Sequence, residues 1–279
     1  MGRSTDVGAS RADFTLDDAL DAEIARAADR VRRAEHVVAL TGAGLSVESG
    51  IPPFRGPGGL WTRYGEPPMD GYQRFLRDPK RAWEERLDPS APWAKALGET
   101  LAAAKPNSAH RALAELERRG ACAAVITQNV DDLHRQAGTR NLLEIHGNHT
   151  LLRCTECNAR FATDELAVDP AALPPHCPAC SGVVKDDTVH FGEPIPPDVL
   201  RGCFAAVEIC DCMLVAGTSA MVYPAAEFPL EVVRRGGQLI EVNPEETELT
   251  ASSTHSLRGP AGAVLGRLLH HVAATEAGA

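Results

Sequence analysis

The sequence predicts an α/β protein, a doubly wound parallel sheet with a smaller zinc-binding and helical domain. Three observations carry this. Short apolar runs alternate with helical patterns along most of the 279 residues. Polar residues cluster just after four of those runs, where a parallel sheet gathers its ligand-binding loops. Two Cys-x2-Cys pairs, separated by 19 residues, interrupt the alternation with metal-ligand spacing.

Residues 1–13 are polar and rich in small side chains, and are expected to form a flexible N-terminus. Over residues 15–33, Leu16, Leu20, Ile24, Ala27 and Val31 recur at helical spacing, and Thr15, Asp17 and Asp18 mark the start. The run Val37-Val38-Ala39-Leu40 then reads as a strand that delivers Thr41-Gly42-Ala43-Gly44-Leu45-Ser46. Glycines there let the backbone approach a pyrophosphate, and a helix N-terminus beyond them favours negative charge. The motif is Gly-x-Gly with Val47 at the third glycine position, so alone it also fits an ordinary strand-to-helix turn.

Residues 55–68 hold too many glycines and prolines for regular structure and read as a long functional loop. Residues 70–104 are mostly helical, with apolar faces from Tyr72, Phe75, Trp83, Trp93 and Leu97 and breaks near Pro89 and Pro92. Asn107 or Ser108 caps a helix that runs to Arg119, and Gly120 ends it. Residues 121–127 form a small apolar run, as in a buried parallel strand, and deliver Gln128-Asn129-Val130-Asp131. A further run over 142–145 delivers His146-Gly147. Beyond the cysteines come a helix over 197–207, a strand over 213–216 ending in Gly217-Thr218-Ser219, a helix over 225–235, a strand over 238–242 ending in Asn243, and a last helix over 262–273.

This organises the chain as a Rossmann-like nucleotide-binding domain (residues 14–56, 105–149 and 185–279), a cofactor loop and helical insert (57–104) and a zinc-binding insert (150–184). No clean second strand ends in an acid about 20 residues after the glycines, where a dehydrogenase holds the ribose. The Pro52-Pro53-Phe54-Arg55 loop follows instead, which points to a differently oriented nucleotide. The formal charge of −10 argues against broad nucleic-acid binding. No apolar run approaches the ~20 residues of a membrane span, and the first residues lack a secretory hydrophobic region, so a cytoplasmic protein without a membrane partner is expected. Cys154, Cys157, Cys177 and Cys180 form a closed four-thiolate set suited to one structural zinc. Cys122, Cys203, Cys210 and Cys212 lie in apolar surroundings and read as buried small hydrophobes.

In these motifs the chain resembles the sirtuins, NAD-dependent protein lysine deacylases. The resemblance spans nearly everything from residue 34 to 272. It rests on the 42–56 segment, Thr127-Gln128-Asn129-Val130-Asp131-Asp132-Leu133-His134, Ile145-His146-Gly147, the two cysteine pairs, His190-Phe191-Gly192-Glu193, Gly217-Thr218-Ser219 with residues 222–226, and Val242-Asn243. The Arg-Gly-Pro-Ala-Gly segment at 258–262 looks most like bacterial members.

The resemblance implies that NAD is consumed. An acyl-lysine oxygen attacks the nicotinamide ribose, nicotinamide leaves, and the acyl group ends on ADP-ribose. It places the general base on His146, a residue type whose unperturbed pKa of about 6.5 suits the role. Asn129 and Asp131 match positions at the nicotinamide end, and Phe54 and Arg55 match the flexible cofactor loop. Gly42, Ala43, Gly44, Ser46, Gln128, Gly217, Thr218, Ser219, Asn243 and Ala261 complete the implied NAD site. Val189, His190, Phe191 and Gly192 match the segment that pairs with an extended acyl-lysine protein substrate.

Three departures bear on substrate preference. Asp132 replaces a common glycine, Asn148 a common serine, and residues 185–188 the usual basic-Pro-x-Val lead. Arg86 and Pro89 stand where an acidic-acyl pocket has tyrosine and arginine, so neutral acyl groups, acetyl first, are expected. Rival readings are a mono-ADP-ribosyltransferase, a non-catalytic NAD-binding module and a zinc-ribbon nucleic-acid binder. The oligomeric state has no sequence signal.

Overall fold

The computed structural model describes residues 16–56, 58–88 and 92–274. The expected flexible N-terminus, Pro57, Pro89 and the side chain of Trp93 lie outside the described residues. The strands are β1 (Val37–Thr41), β2 (Ala124–Thr127), β3 (Leu142–Glu144), β4 (Leu151–Cys154), β5 (Arg160–Ala162), β6 (Val184–Asp186), β7 (Cys212–Ala216), β8 (Gln238–Val242) and β9 (His255–Leu257). The helices are α1 (Asp18–Arg33), α2 (Leu60–Tyr64), α3 (Gly71–Arg77), α4 (Pro79–Leu87), α5 (Pro92–Ala103), α6 (Ser108–Arg118), α7 (Leu133–Gln136), α8 (Pro197–Ile209), α9 (Glu227–Arg234) and α10 (Ala261–Ala274).

The main sheet is parallel, in the order β3-β2-β1-β7-β8-β9. Its central strands are buried on both faces, hence their continuous apolar runs. Val37, Ala39, Leu214 and Ala216 pack under α1, α6 and α10 on one face. Val38, Leu40, Met213 and Val215 pack against Val199, Cys203, Val207, Phe228 and Val232 of α8 and α9 on the other. Local signals start the helices. Asp17 accepts from the Leu20 N–H at 2.7 Å, and Asn107 accepts from the Ala109 and His110 N–H groups to cap α6. The chain leaves β1 for one side of the sheet and β7 for the other, so a switch point opens between them.

The smaller unit is an antiparallel sheet, β5-β4-β6, that carries the cysteines. It shares a core with the helical insert. Phe75 and Trp83 pack with Leu152, Cys154, Cys177 and Val184, and Trp83 Nε1 donates to the Val184 carbonyl at 2.8 Å.

Two elements depart from the sequence expectation. The 55–68 loop contains α2, because the Leu60 and Trp61 N–H groups donate back to the Pro53 and Phe54 carbonyls and fold the loop onto itself. The edge strand β9 went unpredicted, since three residues are too few for a period to show. Residues 121–123 lead into β2 rather than belonging to it.

Trp83 is 3% exposed. Replacing it with alanine should cost about 3–5 kcal/mol, read as an earlier melt of the smaller unit in a calorimetric or circular-dichroism scan.

Candidate active site

The loops after β1 and β7 meet backbone to backbone. The Gly44 N–H donates to the Gly217 carbonyl at 2.8 Å, and the Gly217 N–H to the Val242 carbonyl at 3.0 Å. A Cβ on Gly44 would stand 2.8 Å from Gly217 Cα, and one on Gly217, whose φ is +64°, 2.2 Å from the Leu45 nitrogen. The motif's glycines therefore serve first to pack two strand-end loops together. Gly42, Ala43, Gly44, Gly217, Thr218 and Ser219 then line one continuous cleft.

Beyond Gly42 the chain turns through a short 3-10 helix, Ala43–Ser49, which buries Ser46. The Ser46 hydroxyl donates to Asp131 Oδ2 at 2.5 Å. Asn129 Nδ2 donates to the Gly42 carbonyl at 3.0 Å and to Ser46 Oγ at 3.1 Å. Asp131 Oδ1 accepts from the Leu133 N–H at 3.0 Å. Burial raises the Asp131 carboxyl above the usual carboxylate range, with the Ser46 hydrogen bond opposing. Ser46 and Asp131 thus stand one layer behind Asn129, which does line the cleft. The amide of Asn129 is fixed by its two donated bonds, and its Oδ1 is buried with no partner among the described residues. That free acceptor suits a ligand amide or hydroxyl.

His146 follows β3. Its Nδ1 lies 3.2 Å from the Gln128 carbonyl, so Nδ1 must donate and Nε2 is left as the bare, basic nitrogen. Burial lowers its pKa from the ordinary histidine value, and the Gln128 hydrogen bond opposes this. Gly147 has φ +79°, and a Cβ there would lie 2.0 Å from the Asp187 carbonyl oxygen, so only glycine fits.

Aromatic residues also line the cleft. Phe54, Trp61 and Phe191 stack in series with ring centroids 5.2 and 5.9 Å apart. The Arg55 guanidinium sits 4.2 Å from the Trp61 centroid and 3.8 Å from Glu66. Gln128 Nε2 donates to Thr218 Oγ1 at 2.9 Å, and Asn243 Nδ2 to the Thr218 carbonyl at 3.2 Å. Asn243 and Ala261 line the same cleft.

Residues 188–191 are half-buried and are not a strand. The Val189 N–H donates to the His146 carbonyl at 2.8 Å, and Phe191 and Gly192 are held through their carbonyls by the Tyr72 N–H and Gln73 Nε2. The N–H groups of Phe191 and Gly192 have no partner among the described residues.

Sequence reasoning missed three contributors. Trp61 bridges Phe54 of the 53–61 loop to Phe191 of the 188–192 segment. Glu48 Oε2 accepts from the Gly262 N–H at 2.6 Å and so fills the N-terminus of α10 with a carboxylate from the glycine motif itself. Thr41 links the hydroxyl of Thr127, at 2.9 Å, to the ring of His134, at 3.0 Å, behind the Asn129 backbone. Burial pushes His134 down to about 3, so it stays neutral. A paired aromatic at 61 was visible in the sequence, but nothing local marked its partners.

The four cysteine Sγ atoms lie within 4.8 Å of one another, with Cys154–Cys180 at 3.5 Å and Cys157–Cys177 at 3.7 Å. A tetrahedral zinc with ~2.3 Å bonds spaces its thiolates about 3.8 Å apart. The set fits zinc and offers no fifth group for catalysis, so a bound ion would act as a cross-link between β4 and the 177–180 turn. Asp132, the first departure, has φ +65°, which explains the common glycine there. Its Oδ1 accepts from Asn148 Nδ2, the second departure, at 2.8 Å.

Strand order, a cleft across the switch point and a histidine in its lining fit a dinucleotide-binding protein of the doubly wound class. Comparison with known proteins narrows this. The chain belongs to the Sir2 family, whose profile matches residues 42–224. It is 46% identical over 242 residues to NAD-dependent protein deacylase 1 of Archaeoglobus fulgidus, covering 87% of this chain and 95% of that protein. It is similar to a Sir2 homologue solved in complex with NAD (44% identity, TM-score 0.74, 90% and 94% of the two chains). It is also similar to a Sir2 solved with a p53 peptide and NAD (34% identity, TM-score 0.71, 88% and 96%).

Two outcomes follow. If His146 is the base it must be neutral to accept a proton, and a lowered pKa keeps it neutral to lower pH. The acid limb of kcat/KM should therefore have its midpoint below the ordinary histidine value of 6.5. Zinc removal by a chelator should release one metal per chain and lower the melting temperature, with recovery on readdition, because the smaller core cannot hold itself together.

Proposed function

We propose that this chain, an NAD-dependent protein lysine deacylase, uses His146 as its general base. The observation that carries the reading is the geometry of His146. Its Nδ1 is spent on the Gln128 carbonyl, which leaves Nε2 as the basic nitrogen of a residue that lines the same cleft as Asn129. The acyl-lysine carbonyl oxygen bonds to the ribose carbon that bears nicotinamide, and the carbon–nitrogen bond breaks. His146 Nε2 takes a proton from a ribose hydroxyl, which then attacks the acyl carbon. The acyl carbon–lysine nitrogen bond then breaks and one water is consumed, so the products are lysine, nicotinamide and O-acyl-ADP-ribose.

The other roles follow from position. Asn129, backed by Ser46 and Asp131, orders the nicotinamide end of NAD. Gly42, Ala43, Gly44, Gln128, Gly217, Thr218 and Ser219 hold the phosphates and ribose, and Asn243 and Ala261 the adenosine end. Phe54 and Arg55 cover the reacting ribose and keep water out. Val189, His190, Phe191 and Gly192 pair with the extended substrate, a mode supported by the two free N–H groups there. The four cysteines hold one structural zinc.

The proposed division is a nucleotide-binding domain of residues 14–56, 105–149 and 185–279, a helical insert of 57–104 and a zinc insert of 150–184, with β6 carrying the insert's sheet on to Asp186. The common core of Phe75, Trp83 and Val184 supports treating the two inserts as one unit. Neutral acyl groups are the proposed substrates, supported by Arg86, which turns to Asp186 at 3.6 Å. Among the described residues no helix is long and apolar enough to cross a membrane. A cytoplasmic location suits a chain that invests four thiols in one metal site.

His146→Ala should lower kcat by roughly 10²–10⁴-fold in an assay of O-acyl-ADP-ribose from an acetyl-lysine peptide and NAD. Wild-type turnover in that variant would remove His146 as the base. In a panel of acyl peptides, acetyl and propionyl should outpace succinyl; faster succinyl removal would overturn the neutral-acyl assignment.

A further inference from the structure

The turn that carries His146 is gripped by a residue that touches no substrate. Asp187 is fully buried, and its Oδ2 accepts from the Asn148 backbone N–H at 2.9 Å, two residues beyond the base. Its own carbonyl is the atom that Gly147 is built to clear. The same carboxylate faces the other way into the cysteine-bearing sheet. Arg160 of β5 donates to Oδ1 at 2.9 Å, and Arg153 of β4 lies 3.6 Å from it. Arg153 is itself buried, adjoins Cys154, and reaches on to Glu193 at 2.8 Å. Glu193 in turn accepts from the His190 N–H at 2.8 Å and meets Lys185 at 3.1 Å. One chain of ionic contacts therefore runs from the cysteine-bearing sheet to the 146–148 turn and to the 190–193 segment.

We propose that Asp187 is a positioning residue for His146, holding the 146–148 turn through the Asn148 N–H and held in its turn by Arg160 and Arg153 of the cysteine-bearing sheet. The inference rests on the reading of His146 as the base. The physical case is an asymmetry. Both guanidinium contacts fall on Oδ1, so the Asn148 N–H is what satisfies the buried Oδ2, and a buried carboxylate oxygen left unpaired is costly. Spending an oxygen on Asn148 adds a further tether to a turn already held by backbone bonds, from the Gly147 N–H to Glu144 at 3.0 Å and from the Val189 N–H to His146 at 2.8 Å, and by the Asn148 amide to Asp132 and Glu144. A base must sit within hydrogen-bond reach of its proton, and small displacements are expensive. Order in the zinc module thereby becomes order at the base, though the metal stands outside the chemistry.

The test compares Asp187→Asn, Asp187→Ala and Arg160→Ala, each assayed for kcat per folded chain, zinc content and melting temperature. Asparagine keeps an acceptor for the Asn148 N–H and loses the ion pairs; alanine loses both. Both Asp187 variants should melt earlier. Asp187→Ala should lose roughly tenfold or more in kcat, while Asp187→Asn retains most of it, and Arg160→Ala should fall between with zinc content unchanged. Equal kcat losses in the two Asp187 variants, or wild-type kcat in zinc-loaded Asp187→Ala, would overturn the positioning role. Wild-type kcat in zinc-loaded Arg160→Ala would overturn the link to the sheet. His146→Ala, run alongside, separates the two readings: if it stays inactive while the Asp187 series fails, only the inference falls.

Discussion

The cleft depends on one close approach, the Gly44 N–H bonded to the Gly217 carbonyl at 2.8 Å. Strand order puts the loops after β1 and β7 side by side, but order alone leaves room for side chains between them. The glycines remove that room. Thr218 then reaches Gln128, and Asn243 reaches Thr218, so four strand ends share one hydrogen-bonded rim. A nucleotide laid across this rim meets backbone groups already fixed in place, and preorganised groups cost little to order on binding.

Behind the rim the site is built of buried polar groups that satisfy one another almost completely. Ser46, Asn129 and Asp131 form one cluster, and Thr41, Thr127 and His134 a second behind it. Buried polar groups cost free energy unless paired, so near-complete pairing makes these clusters rigid. Two atoms of these clusters are left without a partner among the described residues, His134 Nδ1 and Asn129 Oδ1, and of the two residues only Asn129 lines the cleft. The desolvation cost of its Oδ1 is offset when a donor arrives, which is how a rigid site favours a ligand over empty solvent.

The sequence was legible where structure is local. Apolar runs, the Asn107 cap, the cysteine spacing and the polar strand ends need only a few neighbouring residues to be read. The candidate base and the Asn129–Asp131 pair were legible for the same reason, as short motifs at strand ends. What stayed hidden is long-range. Glu48 capping α10 joins residues 214 apart in the chain. The core shared by Trp83 and Val184 joins two inserts that look independent in sequence. β9 is defined by pairing with β8, and α2 by a loop that folds back onto Pro53 and Phe54. In each case the deciding partner lies outside any sequence window.

The departures from family pattern make the same point in a different way. In sequence, Asp132, Asn148 and residues 185–188 are separate oddities. In space they are one network. Asp132 accepts from Asn148 Nδ2, which also bonds Glu144 Oε1 at 2.7 Å, and Glu144 is clamped by Arg135 at 2.6 Å. The Asn148 N–H bonds Asp187. A serine at 148 has one hydroxyl proton to give and could not serve both carboxylates, whereas the asparagine amide has two. A left-handed aspartate at 132 is therefore tolerable because an asparagine stands at 148 to meet it. The two changes are physically coupled, and their effect falls on the floor of the turn that carries His146 rather than on the cleft lining.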